Sequence, residues 1–351
     1  MVFLLGERNM RFDDSMYRKR FYPLARLKGV ENLRVGIFTF GERIRRTFGM
    51  VDLVLTPNFV PFEGLKGEPL VVVIGGKVVG FDPKRVKGWQ EAEELARKGM
   101  ASEIRGIVFE NFWELPLKVE EVLENDLKIL ALEDYYKIGG FYVHKSAMVS
   151  LKGEFEGWGV IDEGAVVKPF VVLEKGVYIG KGSLVKPFSY LVSSVVGPVC
   201  KVAGEISHTI FEGFSNKQHG GFIGHSYVSS WVNIGAGTEI SNLKNTYGHV
   251  KVYSYEKNGL VNTGETFLGM FAGDHVKIGI NTTISTGTVL GIFANVTAKD
   301  SPTEKFVPDF YWTGGGKMSL EKAIEIAIRV MERRGIRPDK DYIDRIRENY
   351  G

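Results

Sequence analysis

A branched aliphatic residue recurs every six positions through Ile161, Val167, Leu173, Ile179, Val185 and Leu191. A second register follows through Phe222, Val228, Ile234 and Ile240, and a third through Ile278, Ile284, Leu290 and Val296. A period of six fits neither a helix at 3.6 nor a half-buried strand at 2. It is the period of a parallel β-helix, in which short strands stack coil on coil and share one continuous core. The hexads therefore predict a solenoid over residues 141–300. Two stretches lack them: Phe211–Gly221 and roughly Lys244–Glu265. Both are expected to leave the stack as loops, where function concentrates.

Residues 1–140 carry no hexads and read as mixed α/β. Val2–Leu5, Leu33–Phe40 and Val51–Leu55 are candidate strands. Val71–Ile74, Gly75-Gly76 and Lys77–Gly80 predict a hairpin. Trp89–Lys98 predicts a helix stopped by Gly99, and Leu117–Tyr135 a mostly helical stretch. Residues 301–351 form a terminal appendage. There, Leu320, Ala323, Ile324, Ala327, Ile328 and Met331 stripe a helix over 319–334 capped by Ser319, and a second helix begins near Pro338. These helices are expected to cap the solenoid.

Composition narrows the partners. Among 351 residues the net charge is only +3, with basic and acidic residues dispersed, so nucleic acid is not an expected partner. Cys200 is the single cysteine, which excludes an intramolecular disulfide and the usual zinc clusters. His208, His219 and His225 are spaced by eleven and six, which matches no zinc pattern, and no metal site is expected. No run approaches the ~20 apolar residues of a membrane span. No secretory signal opens the chain, so a cytoplasmic protein is expected.

The segment GHSYVSSWVNIGAGT resembles the acetyltransferase half of the bacterial bifunctional family that makes UDP-N-acetylglucosamine. SNKQHGGFIG, NIGAGT, SNLKNTYG and GDHVKIGINTTISTGTV are similar to a divergent branch of it, as is the opening FYPLARLKGVENLRVGI. That resemblance implies a reduced nucleotidyltransferase-like α/β domain, a left-handed β-helix, a homotrimer, and acetyl-CoA with an amino-sugar phosphate as ligands. It also implies site residues. His219, fourteen residues before Asn233, matches the base, because an amine attacks a thioester only after losing its proton. Glu205 and Asn242 match the residues that place that base. Ala236 would offer a backbone N–H to the acyl-CoA. Asn233 would contact the acceptor, and Phe222 replaces a sugar-contacting tyrosine. The family's phosphate-binding Arg and Lys fall at Val192 and Ser207, which cannot pair with phosphate. Lys217 and Lys244, beside the two interruptions, are the expected replacements.

Toward the start, Arg8, Arg11, Arg26, Lys28 and Arg34 make a basic set able to bind nucleotide or phosphate. The glycine-rich loop of sugar nucleotidyltransferases is thinned to Gly6 alone. Mg²⁺ is expected only if this region is an active nucleotidyltransferase; no acidic pair stands out as its ligands, and Asp13, Asp14 and Asp52 are the candidates. Three functions are thus consistent with the sequence: N-acetyl transfer to an amino-sugar phosphate, uridylyl or thymidylyl transfer with the solenoid used for assembly, or a scaffold without activity.

Overall fold

The computed structural model describes residues 10–297 and 303–351. Two compact units divide the chain: one of residues 1–18, 29–33 and 38–110, the other of residues 19–28, 34–37 and 111–351. The expected strand at Val2–Leu5 and the candidate Arg8 lie outside the described residues.

The smaller unit is α/β. Its five-stranded sheet runs Arg11–Phe12, Val54–Leu55, Lys77–Phe81, Val71–Ile74, Ser102–Glu103, with the Gly75-Gly76 hairpin at its centre. Helix α1 (Phe40–Phe48) begins in a capping box between Thr39 and Glu42, and α2 (Trp89–Arg97) is the helix expected there. Leu33–Phe40 is not a strand: Thr39 caps α1, and the residues before it are bends. The core joins Ile44 and Phe48 of α1 to Leu55, Phe59, Val72 and Ile74.

The larger unit is the solenoid. Each coil contributes a strand to three parallel sheets, so the coil is a triangle. Face one contains Met148–Val149, Val166–Val167, Leu184–Val185, Lys201–Val202, Asn216–Lys217, Asn233–Ile234 and Lys277–Ile278 in order. Face two contains Tyr190–Val192, Glu205–Ser207, Phe222–Gly224 and Glu239–Ile240. Face three contains Val195–Val196, Ile210–Phe211, Tyr227–Val228 and Met270–Ala272. The hexad aliphatics line the interior, with Ile161, Leu173, Ile179, Val185 and Leu191 fully buried.

Phe211–Gly221 is not an insertion. Its strands remain in the stack, and the apparent break is a set of shortened steps. The buried series runs Leu191, Val196, Val202, Ile206, Phe211, Lys217, Ile223, Val228, so several steps shrink from six residues to five and one to four. Phe222 accordingly faces outward, and Ile223 takes the core position. Eighteen residues separate Val167 from Val185, seventeen the next pair, and only fifteen separate Val202 from Lys217.

The second interruption is real. It is an antiparallel hairpin of Lys251–Ser254 and Gly259–Asn262, seated by Val252 and by a stack of Tyr253 on Phe306 with ring centroids 3.7 Å apart. Leu117–Tyr135 is helical only in part, as α3 (Val119–Leu127) after a 3₁₀ turn. Helix α4 (Leu320–Glu332) starts at Ser319, whose hydroxyl accepts from Lys322 N–H, and α5 (Lys340–Glu348) is capped by Asp339. Both bury their apolar stripes against Phe293 and Phe310 of the last coils. No helix among the described residues is long and apolar enough to cross a membrane.

Candidate functional site

The shortest step, Val202 to Ile206, cuts the corner between faces one and two. Backbone carbonyls of this corner and of the corner one coil on face a buried lysine, Lys217. It occupies the core position between Val202 and Ile234, is 1% exposed, and donates from Nζ to the carbonyls of Gly221 (2.7 Å), His219 (3.1 Å) and Ala203 (3.5 Å). Burial pulls its pKa down to about 8. Lys217 is therefore not a substrate contact, because its amine is committed inside the coil. The corner also requires glycine: Gly221 has φ +119, and a Cβ there would lie 2.4 Å from the Thr238 carbonyl.

His219 sits on the outside of this corner with its ring exposed and its own carbonyl held by Lys217. Asn233 is exposed one coil on, at the adjoining edge of face one, and Ala236 is in the next corner, its carbonyl accepting from Asn281 N–H at 2.7 Å. Glu205 and Phe222 pair side by side on the outer surface of face two. Within one chain, Asn242 does not reach His219. Its amide lies 2.8 Å from Nδ1 of His225, beyond the other end of face two. Lys244 closes the start of the hairpin excursion by donating to the His249 carbonyl at 2.8 Å.

Beside this corner, a cavity of about 460 Å³ opens between face one and the C-terminal end of α4. Lys201, Asn216, Asn233 and Lys277 project into it from consecutive strands of face one. Gln218, next to His219, lines it too, and Arg333 and Arg334 close it from the helix. Arg334 is fixed by a 2.8 Å bond to Asn216 Oδ1. No carboxylate lines the cavity. Lys277 is held by the carbonyls of Trp231 (2.6 Å) and His275 (3.2 Å), and burial lowers its pKa to about 7. The sequence did not reveal this set, since its four cations lie on three widely separated segments.

A second histidine feature lies at the corner between faces two and three. His208 and His225 occupy equivalent positive-φ positions one coil apart, with rings stacked 4.4 Å apart at 4°. Ser207 Oγ is 2.8 Å from Nδ1 of His208, and Glu120 of α3 is 4.0 Å from its Nε2. Burial lowers both pKa values, that of His225 to about 4. Val192 and Ser207 pair beside this corner.

The basic residues of the opening segment are mostly engaged within the larger unit. Lys28 joins Glu212 and Asp274 in a buried cluster, Arg26 pairs with Asp309 at 2.9 Å, and Arg34 donates to the carbonyls of Glu212 and Ile37. Burial opposes the Lys28 charge, but Asp274 and Glu212 more than reverse it and hold its pKa above the ordinary value. These three residues anchor residues 19–28 and 34–37 to the solenoid and do not form a free phosphate site. Arg11 alone of the described set has an exposed side chain. In the smaller unit, Asp13 accepts from Trp89 and Ser15, Asp14 from Val30 N–H, and Asp52 pairs with Lys84, so these carboxylates do not converge on one site.

No family model matches the chain. Over 157 residues it is 35% identical to a bifunctional sugar-1-phosphate nucleotidylyltransferase/acetyltransferase of Sulfurisphaera tokodaii. The match spans 39% of this chain and 38% of that protein, so the chain matches little more than a third of its relative's length. Among solved structures, the acetyltransferase domain of PglB from Neisseria gonorrhoeae with acetyl coenzyme A is 13% identical, covering 88% of this chain and 96% of that one at a TM-score of 0.23. PerB from Caulobacter crescentus, solved with CoA and GDP-perosamine, is 15% identical over 71% of this chain and 96% of that one, at a TM-score of 0.18.

Proposed function

We propose that the chain is an acetyl-CoA-dependent N-acetyltransferase acting on an amino-sugar phosphate. The observation that carries this reading is the corner at His219: an exposed imidazole, fixed through its carbonyl by buried Lys217, next in sequence to Gln218 on the cavity wall and one coil from exposed Asn233. The acetyltransferase similarity supports the same chemistry. In the step, the amine nitrogen attacks the thioester carbonyl carbon. The N–C bond forms, the C–S bond breaks, the amine proton passes to Nε2 or Nδ1 of His219, and the coenzyme leaves as thiolate to be protonated. Asn233 orients the acceptor. Asn242 is bonded to His225 in its own chain, so in this reading it acts on His219 across the subunit boundary of a homotrimer, and Glu205 helps to place the same imidazole.

Thiol release from acetyl-CoA with glucosamine-1-phosphate tests the assignment. His219→Ala is expected to lower turnover by ~10²–10⁴-fold while the melting temperature stays within a degree or two of wild type. Full activity in that variant, with loss in His225→Ala, would move the base to the stacked histidine pair. Nucleotidyl transfer has less support, because Arg26, Lys28 and Arg34 are engaged internally.

A further inference from the structure

The geometry points to the cavity between face one and α4 as a binding site for a phosphate monoester, held by Lys201, Lys277, Arg333 and Arg334. Four cationic side chains converge there, and among the described residues none of them pairs with a carboxylate. Elsewhere the chain pairs its lysines and arginines readily: the next basic residue of α4, Arg329, is bound to Glu325. Cations at the end of a helix are favoured by its dipole, which accounts for Arg333 and Arg334. It does not account for Lys201 and Lys277, which face them from the solenoid.

The cluster is costly without a ligand. Lys277 is half-buried at the cavity wall with two carbonyls to hold its amine, and that burial disfavours its charge. A dianion in the cavity would restore the charge and offset the repulsion among the four groups. Guanidinium groups suit a phosphate, which offers several oxygens to planar donors. The volume of about 460 Å³ admits a phosphorylated sugar or a terminal phosphate of a larger ligand. Asn233 and Gln218 line the same cavity, so a phosphate held there leaves the rest of its ligand facing the His219 corner. These residues replace the Arg and Lys whose places are taken by Val192 and Ser207. The inference rests on the acetyl-transfer reading only for the ligand's other half; phosphate binding stands without it.

Calorimetry on the full chain tests it with glucosamine-1-phosphate against glucosamine, and CoA against dephospho-CoA. The variants are Lys201→Gln and the double variant Arg333→Gln/Arg334→Gln, with melting temperatures as the check on folding. Each is expected to weaken the ligand that bears the phosphate monoester by about tenfold or more, and to leave the counterpart that lacks that monoester unchanged. Loss confined to glucosamine-1-phosphate assigns the site to the acceptor. Loss confined to CoA, sparing dephospho-CoA, assigns it to the coenzyme's 3′-phosphate, and either upholds phosphate recognition. Wild-type affinity for all four ligands in both folded variants would overturn the proposal, as would a wild type that binds neither phosphate ligand. Phosphate binding that the variants lose, in a wild type that releases no thiol, would remove the acetyl-transfer reading and leave this site standing.

Discussion

Lys277 and Lys217 each keep an amine out of water with carbonyls for company, and the two lysines titrate low for that reason. Their ordinary pKa is 10.5, against about 7 and about 8 in the folded chain. Between those values the unfolded chain carries protons that the folded chain lacks, so stability contributed by these groups rises with pH from about 7 toward 10.5. Lys277 lines the same cavity as Lys201, Arg333 and Arg334. Urea midpoints between pH 7 and pH 10 are expected to climb more steeply in wild type than in Lys277→Met. Parallel profiles would contradict the burial account. Lys217→Ala strands inward-facing carbonyls and leaves a void, and is expected to cost about 2–4 kcal/mol by urea unfolding. His219 was legible from its spacing to Asn233, and Asn233 from its motif. Lys217 was not: a lysine beside glycines reads as surface, although it falls six residues from both buried Phe211 and buried Ile223. The place of Asn242 beside His225 was not legible, because sequence spacing does not tell which corner of a triangular coil a residue reaches.

At the scale of elements, the hexads located the solenoid because its core repeats at a fixed period over most coils. They failed between Leu191 and Val228, where shortened corners shift the register and a polar stretch mimics a loop. The helices α2 and α4 were legible from stripe and cap, whereas Leu33–Phe40 looked like a strand because its aliphatics pack as irregular chain before a capping box. The basic opening segment read as a phosphate site, yet its charges tie residues 19–28 and 34–37 to the solenoid. Lys28→Met leaves Glu212 and Asp274 buried without their cation, and is expected to lose roughly 3–5 kcal/mol in denaturant unfolding. An unchanged midpoint in that variant would return Lys28 to the pool of free phosphate ligands.

For the whole molecule, the stacked Phe170 and Phe188 rings, 5.2 Å apart and exposed at 54% and 77%, form an apolar ridge on the corner between faces one and two. The proposed trimer covers it and brings Asn242 of one chain toward His219 of the next. Light scattering is expected to show three chains in wild type and a smaller species in Phe188→Asp; a wild-type monomer would remove the intersubunit site. The most direct test of the account is the product of one reaction. Protein, acetyl-CoA and glucosamine-1-phosphate are incubated together, and free thiol is measured alongside the mass of the sugar phosphate. The account predicts one thiol released for each sugar phosphate that gains an acetyl group on nitrogen, with both signals lost in His219→Ala. No thiol above background with any amino-sugar phosphate, and no thermal shift with acetyl-CoA, would contradict it and leave a scaffold.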